Sequence, residues 1–241
     1  MFVLSSPTAS WVVDLYNNNI TGSLPLSVTH LSFLRHLHLG GNFFTGKIPS
    51  EYGVWSHLEY LAVSVTSFSD LFRRRSETLL HYVSFTFYNI YDGGIPPEIG
   101  NLSEMVRLDA AYCGLTGEIP AELSKLQKLD TLFLQVNALS GSLTLELGSL
   151  KSLKSMDLSN NGFTGEVAVS FSELRNLTLL NLFRNKLHGA IPEFIGEMPA
   201  LEVLQIWENN FTGSIPQSLG KNGKLTLVDV SSNKLTGSLP P

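Results

Sequence analysis

Large aromatic and polar side chains recur at a constant interval through the middle of this sequence, as from Asp109 to Phe133 and on to Asp157. Their polar groups donate and accept hydrogen bonds, and their rings offer wide apolar faces, so the set suits noncovalent recognition. The rings are the stronger signal, because aspartate at these positions also serves solubility. The candidate binding residues are Arg107, Asp109, Phe133, Gln135, Asp157, Asn181, Phe183, Gln205 and Trp207.

Histidines near the N-terminus suggest a second kind of chemistry. His36 and His38 alternate along one expected strand, with Asp14 and Tyr60 on neighbouring strands. Two histidines beside a carboxylate could ligate a metal, but ordinary surface histidines are the favoured interpretation. The sequence has no Gly-rich phosphate loop, no G-x-S-x-G and no H-E-x-x-H motif. We therefore predict no catalytic residue, no metal and no cofactor.

A repeat of constant length must position the candidate binding residues. Leucines recur as L-x-x-L-x-L-x-x-N-x-L-x-G-x-I-P, and a period of about 24 residues is typical of a leucine-rich-repeat solenoid. The asparagine of this pattern marks each coil and forms a ladder along the stack. Its positions, one of them taken by cysteine, are Asn18, Asn42, Cys113, Asn137, Asn161, Asn185, Asn209 and Asn233.

One complete unit, Leu177–Ala200, shows what each fixed position does. Leu180 and Leu182 alternate as strand residues do and point into the core. Asn185 takes the chain off the strand and, when buried, must bond backbone groups of adjacent coils. Gly189 supplies a backbone position closed to residues with a Cβ. We predict about ten such repeats in the α/β horseshoe class. A parallel sheet forms the concave face, and irregular, 3-10 and extended segments form the convex face.

The candidate binding residues lie between the strand leucines and so point outward from the concave face. Ten strands spaced about 4.8 Å form a strip roughly 43 Å long. An extended peptide of about a dozen residues, at about 3.3 Å each, has a similar length, although a globular partner could also cover the strip. Arg107 is the best candidate to pair with a ligand carboxylate, because its guanidinium can bind both oxygens.

Two stretches depart from the repeat within what we interpret as one domain, residues 1–241. Residues 1–10 form a non-repeat leader, and residues 67–79 disrupt one unit, with Thr66 and Tyr88 at the flanking ladder positions. The Arg73–Arg75 run is interpreted as a solvated face. Neither end shows a distinct polar cap, so we expect a fragment of a longer solenoid.

Composition narrows the class of protein further. The chain has 241 residues, is 43% hydrophobic, and carries a formal charge of −5, which argues against a nucleic-acid partner. No apolar run is long enough to span a bilayer, and the N-terminus is a poor signal peptide. The single cysteine, Cys113, is expected to be a buried thiol rather than a reactive one. N-x-S/T sequons, typical of a secreted parent, predict glycosylation at Asn19, Asn101, Asn176 and Asn210.

The sequence motif of the convex segment, L-x-G-x-I-P-x-x-L/I-G, is the plant-specific form of the repeat. Stretches such as RHLHLGGNFFTGKIPSEYG and LTLLNLFRNKLHGAIPEFIGEMPALEVLQIWENNFTGSIPQ resemble the ectodomains of the CLAVATA / BARELY ANY MERISTEM group of plant receptor kinases. The resemblance covers residues 12–241 except about 67–79. The sequence lacks the group's N-terminal cysteine-paired cap.

This resemblance implies an ectodomain at the extracellular face of the plasma membrane that binds short secreted peptides of the CLE type in developmental signalling. A co-receptor repeat kinase is a further expected partner. The membrane span and the Ser/Thr kinase of the group are not part of this sequence. Two alternatives stay open: a secreted inhibitor that docks on a microbial wall-degrading enzyme, and a non-functional truncated product.

Overall fold

The computed structural model describes residues 11–45, 51, 60–63, 82–85, 93–95 and 97–239. The expected disruption at 67–79, the ladder positions Thr66 and Tyr88, the Arg73–Arg75 run and the leader at 1–10 lie outside these residues. In chain order the strands are β1 Trp11–Asp14, β2 Thr21–Ser23, β3 Leu34–His38, β4 Phe43–Thr45, β5 Tyr60–Val63, β6 Tyr82–Phe85, β7 Arg107–Asp109, β8 Thr116–Gly117, β9 Thr131–Phe133, β10 Ala138–Leu139, β11 Ser155–Asp157, β12 Leu179–Asn181, β13 His188–Ala190, β14 Val203–Gln205, β15 Asn210–Gly213, β16 Leu227–Asp229 and β17 Lys234–Leu235.

Among the described residues, ten strands form one parallel sheet, in the order β1-β3-β5-β6-β7-β9-β11-β12-β14-β16. The register between neighbours is constant through the regular repeats, so Ser155 pairs with Leu179 and Leu179 pairs with Val203. Each step from strand to strand therefore adds one complete coil. The predicted solenoid with a parallel concave sheet is confirmed.

On the convex side, most of the described coils have a short strand and one helical turn. The short strands pair in parallel across coils, as β13, β15 and β17 do. The helical segments are 3-10 turns at Leu26–His30, Pro97–Asn101, Ala121–Lys125, Leu145–Ser149 and Val169–Glu173, and one α-helical turn, α1, at Phe194–Glu197. The predicted convex mixture of 3-10 and extended segments is confirmed as well.

The core runs the length of the stack, because every coil contributes the same inward positions. Leu177, Leu180 and Leu182 have no exposed surface, and Leu132 and Leu204 are buried in the same way on neighbouring strands. Burial of one such side chain stabilises the fold by about 1.5–3 kcal/mol relative to exposure. The spacing of the leucines thus fixes which face of each strand is left for recognition.

The asparagine ladder joins each coil to the one before it. The Asn185 side chain donates to the carbonyls of Leu158 and Leu182, both at 3.0 Å, and its Oδ1 accepts the amide of Phe163 at 3.0 Å. Leu158 and Phe163 belong to the preceding coil. Asn209 repeats the pattern with its own neighbours, accepting from the Leu187 amide at 3.0 Å. Buried backbone groups at the turn are thereby satisfied by side chains rather than by water.

The residue before each ladder position adopts the left-handed conformation, which the repeat pattern did not predict. Its φ angle is between 51° and 58° at Asn17, Tyr112, Val136, Asn160, Arg184, Glu208 and Ser232. Asparagine tolerates this region, whereas a β-branched side chain is strained there. Val136, with a φ of 57°, is therefore the most strained of these turns.

Replacing this strained valine should stabilise the chain. Val136→Asn should raise the free energy of unfolding by about 1 kcal/mol, because asparagine adopts the left-handed region at lower cost. The reverse change in the next coil, Asn160→Val, should lower it by a similar amount. Denaturant midpoints of both variants provide the measurement. Stabilisation by Asn160→Val, or no effect of either change, would show that backbone strain does not limit this turn.

Candidate functional site

The outward-facing residues of the concave sheet form parallel rows, one residue per strand. Strands β7, β9, β11, β12 and β14 carry six of the nine candidate binding residues, and the other three follow the ends of these strands. One row, in register from strand to strand, is Asp109, Phe133, Asp157, Asn181 and Gln205. Gln135, Phe183 and Trp207 follow two residues after the row members of their own coils. Because the core leucines take the opposite face of each strand, these side chains share the concave surface.

Two aromatic residues of this surface act as a single unit. The rings of Phe183 and Trp207 are stacked, with centroids 4.7 Å apart and an interplanar angle of 9°. Both residues are half-buried. Stacked rings hold each other in place and so lose little side-chain entropy when a ligand covers their exposed surface. Phe133 lies two strands from Phe183, so the two aromatic positions are about 10 Å apart along the sheet.

Arginines lie over both aromatic positions. The Arg107 guanidinium carbon is 5.0 Å from the Phe133 ring centroid, and that of Arg184 is 4.8 Å from the Trp207 centroid. Arg184 was not among the candidate residues, because it lies at the turn after the strand leucines. A cation over a ring face contributes about 0.5–1 kcal/mol at exposed sites and orients both groups.

Both arginines also have acidic partners. Arg107 Nη2 donates to Asp109 Oδ2 at 3.1 Å, and Arg184 Nε donates to Glu208 Oε2 at 2.8 Å. Arg107 was expected to be the best partner for a ligand carboxylate. In the free chain its guanidinium is already engaged by Asp109, so a ligand carboxylate would compete with that pair.

A second group of aromatic side chains lies at the N-terminal end of the concave sheet. His38 stacks on Tyr16 at 4.7 Å and meets the edge of Tyr60 at 5.6 Å. Its Nδ1 lies 3.5 Å from Asp14 Oδ1, and His36 lies 5.8 Å from the Tyr60 ring. In the described part of the chain, no three His, Cys, Asp or Glu residues are close enough to hold a metal ion. The histidines pack against tyrosines here, which the spacing of single residues did not predict.

The ladder cysteine has no exposed surface. Burial raises the pKa of the Cys113 thiol to about 12, with a smaller contribution from the nearby Asp109 carboxylate. The thiol donates to the carbonyl of Ala111 at 3.3 Å, and the Cys113 amide donates to Asn137 at 3.0 Å. The thiolate is the nucleophile and metal ligand, so this geometry keeps the group inert.

We expect Cys113 to resist alkylation in the folded chain. At pH 8 iodoacetamide should leave it unmodified, because the raised pKa keeps the thiol protonated and the core excludes the reagent. The same thiol should react fully in denaturant, as mass spectrometry would show. Ser140→Cys, at an exposed convex position, provides a control that should react while folded. Equal labelling rates for both thiols would contradict the buried assignment.

The sequons lie at the edges of the coils rather than in the core. Asn19, Asn101 and Asn176 are exposed, and Asn210 is half-buried. The Asn176 side chain donates to the Lys151 carbonyl of the preceding coil at 2.8 Å. None of the four lies in the rows of candidate binding residues, so glycans at these positions would leave those rows uncovered.

The repeat pattern matches the Leucine Rich Repeat family at residues 11–31, 33–55, 152–174, 176–198 and 200–222. With the parallel sheet and the asparagine ladder in place, this decides the fold. The fold is a leucine-rich-repeat solenoid. No helix among the described residues is long and apolar enough to cross a bilayer.

Solved structures of receptors are similar to this chain over nearly its whole length. The ectodomain of GASSHO1/SCHENGEN3 from Arabidopsis thaliana, in complex with CASPARIAN STRIP INTEGRITY FACTOR 2, is 35% identical over 94% of this chain, with a TM-score of 0.85. A TDR receptor is 40% identical over 94%, with a TM-score of 0.84. The Arabidopsis receptor kinase HAESA, in complex with the peptide hormone IDA and the co-receptor SERK1, is 32% identical over 92%, with a TM-score of 0.70.

These matches show that the chain is similar in structure to ectodomains of plant leucine-rich-repeat receptor kinases. They do not single out the CLAVATA / BARELY ANY MERISTEM group, because different receptors match with similar identity. The chain covers 28%, 40% and 42% of the three solved chains, respectively.

Proposed function

We propose that this chain is part of the ligand-binding ectodomain of a plant receptor kinase and binds a short secreted peptide of the CLE type along its concave sheet. The observation that carries the proposal is the Phe183–Trp207 stack, half-buried on the concave surface at 4.7 Å between centroids. The core leucines lie on the opposite face of each strand, so this stacked aromatic pair faces outward and keeps exposed surface that a partner can cover.

The length and shape of the strip favour an extended peptide over a compact partner. Ten parallel strands give a strip roughly 43 Å long, which about a dozen extended residues would cover. Similarity to HAESA, which was solved with the peptide hormone IDA, supports a peptide as the occupant. The CLAVATA / BARELY ANY MERISTEM group and its CLE peptides are the finer part of the proposal and rest on the sequence resemblance.

A co-receptor repeat kinase would complete the signalling unit, as SERK1 accompanies HAESA and its hormone in one solved complex. Developmental signalling would then depend on a membrane span and a kinase in the parent protein. The chain itself has a binding role in this proposal and no enzymatic one.

Direct titration tests the proposal. Synthetic CLE-type peptides of about a dozen residues are titrated against the immobilised chain, each beside a scrambled version of the same composition. At least one peptide should bind saturably and more tightly than its scrambled control. If no member of the panel is distinguished from its control, the CLE assignment is wrong. A random dodecapeptide library that also yields no specific binder would overturn peptide binding itself.

A further inference from the structure

The cations of the central concave surface are already matched by carboxylates of the chain. Arg107 is paired with Asp109 at 3.1 Å, and Arg184 with Glu208 at 2.8 Å. Such pairs leave little net positive charge for a ligand, because each guanidinium lies beside its own acid. The charge available to a ligand must therefore come from groups outside these pairs.

Asp157 is a carboxylate at the centre of the same surface without a cationic partner in the described part of the chain. Its Oδ1 accepts the Ser159 amide at 3.0 Å and the Ser159 hydroxyl at 2.6 Å. Its Oδ2 accepts Asn181 Nδ2 at 3.0 Å. All three donors are neutral, so the negative charge of this half-buried group is solvated by dipoles but not paired.

Two amide oxygens in the repeats next to Asp157 have no donor among the described residues. Asn181 is only 8% exposed, and its Oδ1 has no hydrogen-bond partner. The orientation of this amide is fixed, because only its nitrogen can donate to Asp157. Gln135 Oε1, in the preceding repeat, is also buried without a donor. This part of the surface thus has an excess of acceptors and a shortage of donors.

We propose that Asp157 is the centre of a subsite for a cationic side chain of the peptide ligand, with arginine favoured over lysine. This inference rests on the proposed peptide-binding function. A guanidinium carries five N–H donors in a plane and can bond the carboxylate and a neighbouring amide oxygen together, whereas an ammonium has three donors at one point. The carbonyl oxygens of Asn181 and Gln135 are the additional acceptors.

The surroundings of Asp157 suit the rest of such a side chain. Phe133 is its register partner on β9, and Phe183 lies two residues beyond Asn181 on the other side. The apolar stem of an arginine can pack along aromatic rings while its charged end reaches the carboxylate. In the free chain the two unpaired oxygens are buried, so the incoming cation must displace the atoms that cover them.

A closely matched control lies in the same row at the end of the sheet. Asp229 accepts the Ser231 amide at 3.0 Å and the Ser231 hydroxyl at 2.7 Å, as Asp157 does with Ser159. It lacks the Asn181 contact and is three strands away, about 14 Å along the sheet. Asp157→Asn and Asp229→Asn therefore make the same local change inside and outside the proposed subsite.

The test uses dodecapeptides selected from a random displayed library on the intact chain, keeping those whose binding is lost in Trp207→Ala. The selected peptides should be enriched in arginine or lysine, and Asp157→Asn should weaken their binding at least tenfold, against less than twofold for Asp229→Asn. Selected peptides in which the enriched arginine is changed to glutamine should bind the native chain and the Asp157→Asn variant equally well. Thermal melts of both variants check that each is folded.

The possible outcomes distinguish a failure of the cationic subsite from a failure of the proposed peptide-binding function. If Trp207-dependent peptides bind Asp157→Asn as well as they bind Asp229→Asn, the cationic subsite is refuted while peptide binding stands. A preference for acidic peptides would also refute it. If no selected peptide depends on Trp207, the proposed concave site fails and the subsite fails with it.

Discussion

Asn185→Ala should lower the free energy of unfolding by about 2 kcal/mol, since a buried group left without a partner costs about 1–3 kcal/mol. The side chain is 8% exposed and bonds four backbone groups: it accepts from the Phe163 amide and donates to the carbonyls of Leu158, Leu182 and Phe183. Alanine leaves the Phe163 amide without a partner, whereas the Leu158 and Leu182 carbonyls still accept from the side chains of Asn161 and Asn209. Two of the lost bonds, to Phe163 and Leu158, join Asn185 to the preceding coil. The change therefore weakens the contact between coils as well as one turn.

Asn18→Ala is the matched control, because Asn18 holds the same position in an exposed coil. Its side chain donates to the carbonyls of Leu15 and Tyr16, which lie shortly before it in its own coil. The loss should stay below about 1 kcal/mol, the usual value for a solvent-exposed hydrogen bond. Urea denaturation of both variants provides the comparison, with hydrogen exchange at the Phe163 amide as a local readout. Equal losses would mean that the ladder bonds between coils add nothing to stability.

Trp207→Ala should weaken peptide binding by about 2 kcal/mol or more, which is about 30-fold in Kd. The ring is half-buried, stacks on Phe183 and has Arg184 over its face, so the substitution removes a large apolar surface from the concave sheet. Phe183→Ala should have a similar effect. Glu118→Ala, on the exposed convex side, should change Kd by less than twofold. If Glu118→Ala weakened binding as much as Trp207→Ala, the ligand would lie on the convex face instead of the concave one.

Because the rings of Phe183 and Trp207 are stacked, we expect their contributions to the binding free energy to be coupled. The double change of Phe183 and Trp207 should cost less than the sum of the single changes, because each ring supports the other. Phe133, two strands away and paired with Arg107 instead, should combine additively with Trp207. Calorimetric titration of the single and double variants measures both couplings. Additivity within the stacked pair would show that the two rings bind separately.

The fold could be predicted because the repeat encodes it locally. Leucines at fixed spacing decide which face of each strand is buried, and an asparagine at the same place in each repeat marks the turn that ends the strand. A single unit such as Leu177–Ala200 was therefore enough to predict a parallel sheet on one side and short helical turns on the other. The left-handed residue before the ladder was not predicted, because valine, glutamate and arginine all occur there without any common side-chain property.

The candidate binding surface was only partly predictable, and the reason is geometric. The sequence alone determined which residues face the concave side, since alternation along a strand and a constant period fix direction. It did not determine their pairing. Arg107 is engaged by Asp109, Phe183 is stacked on Trp207, and Asn181 is buried against Asp157 with one oxygen left over. Those contacts depend on side-chain rotamers, and most of them join strands that lie a full repeat apart in the chain. Only the folded stack brings them within hydrogen-bonding and stacking distance and decides which charges are already paired and which are left for a ligand.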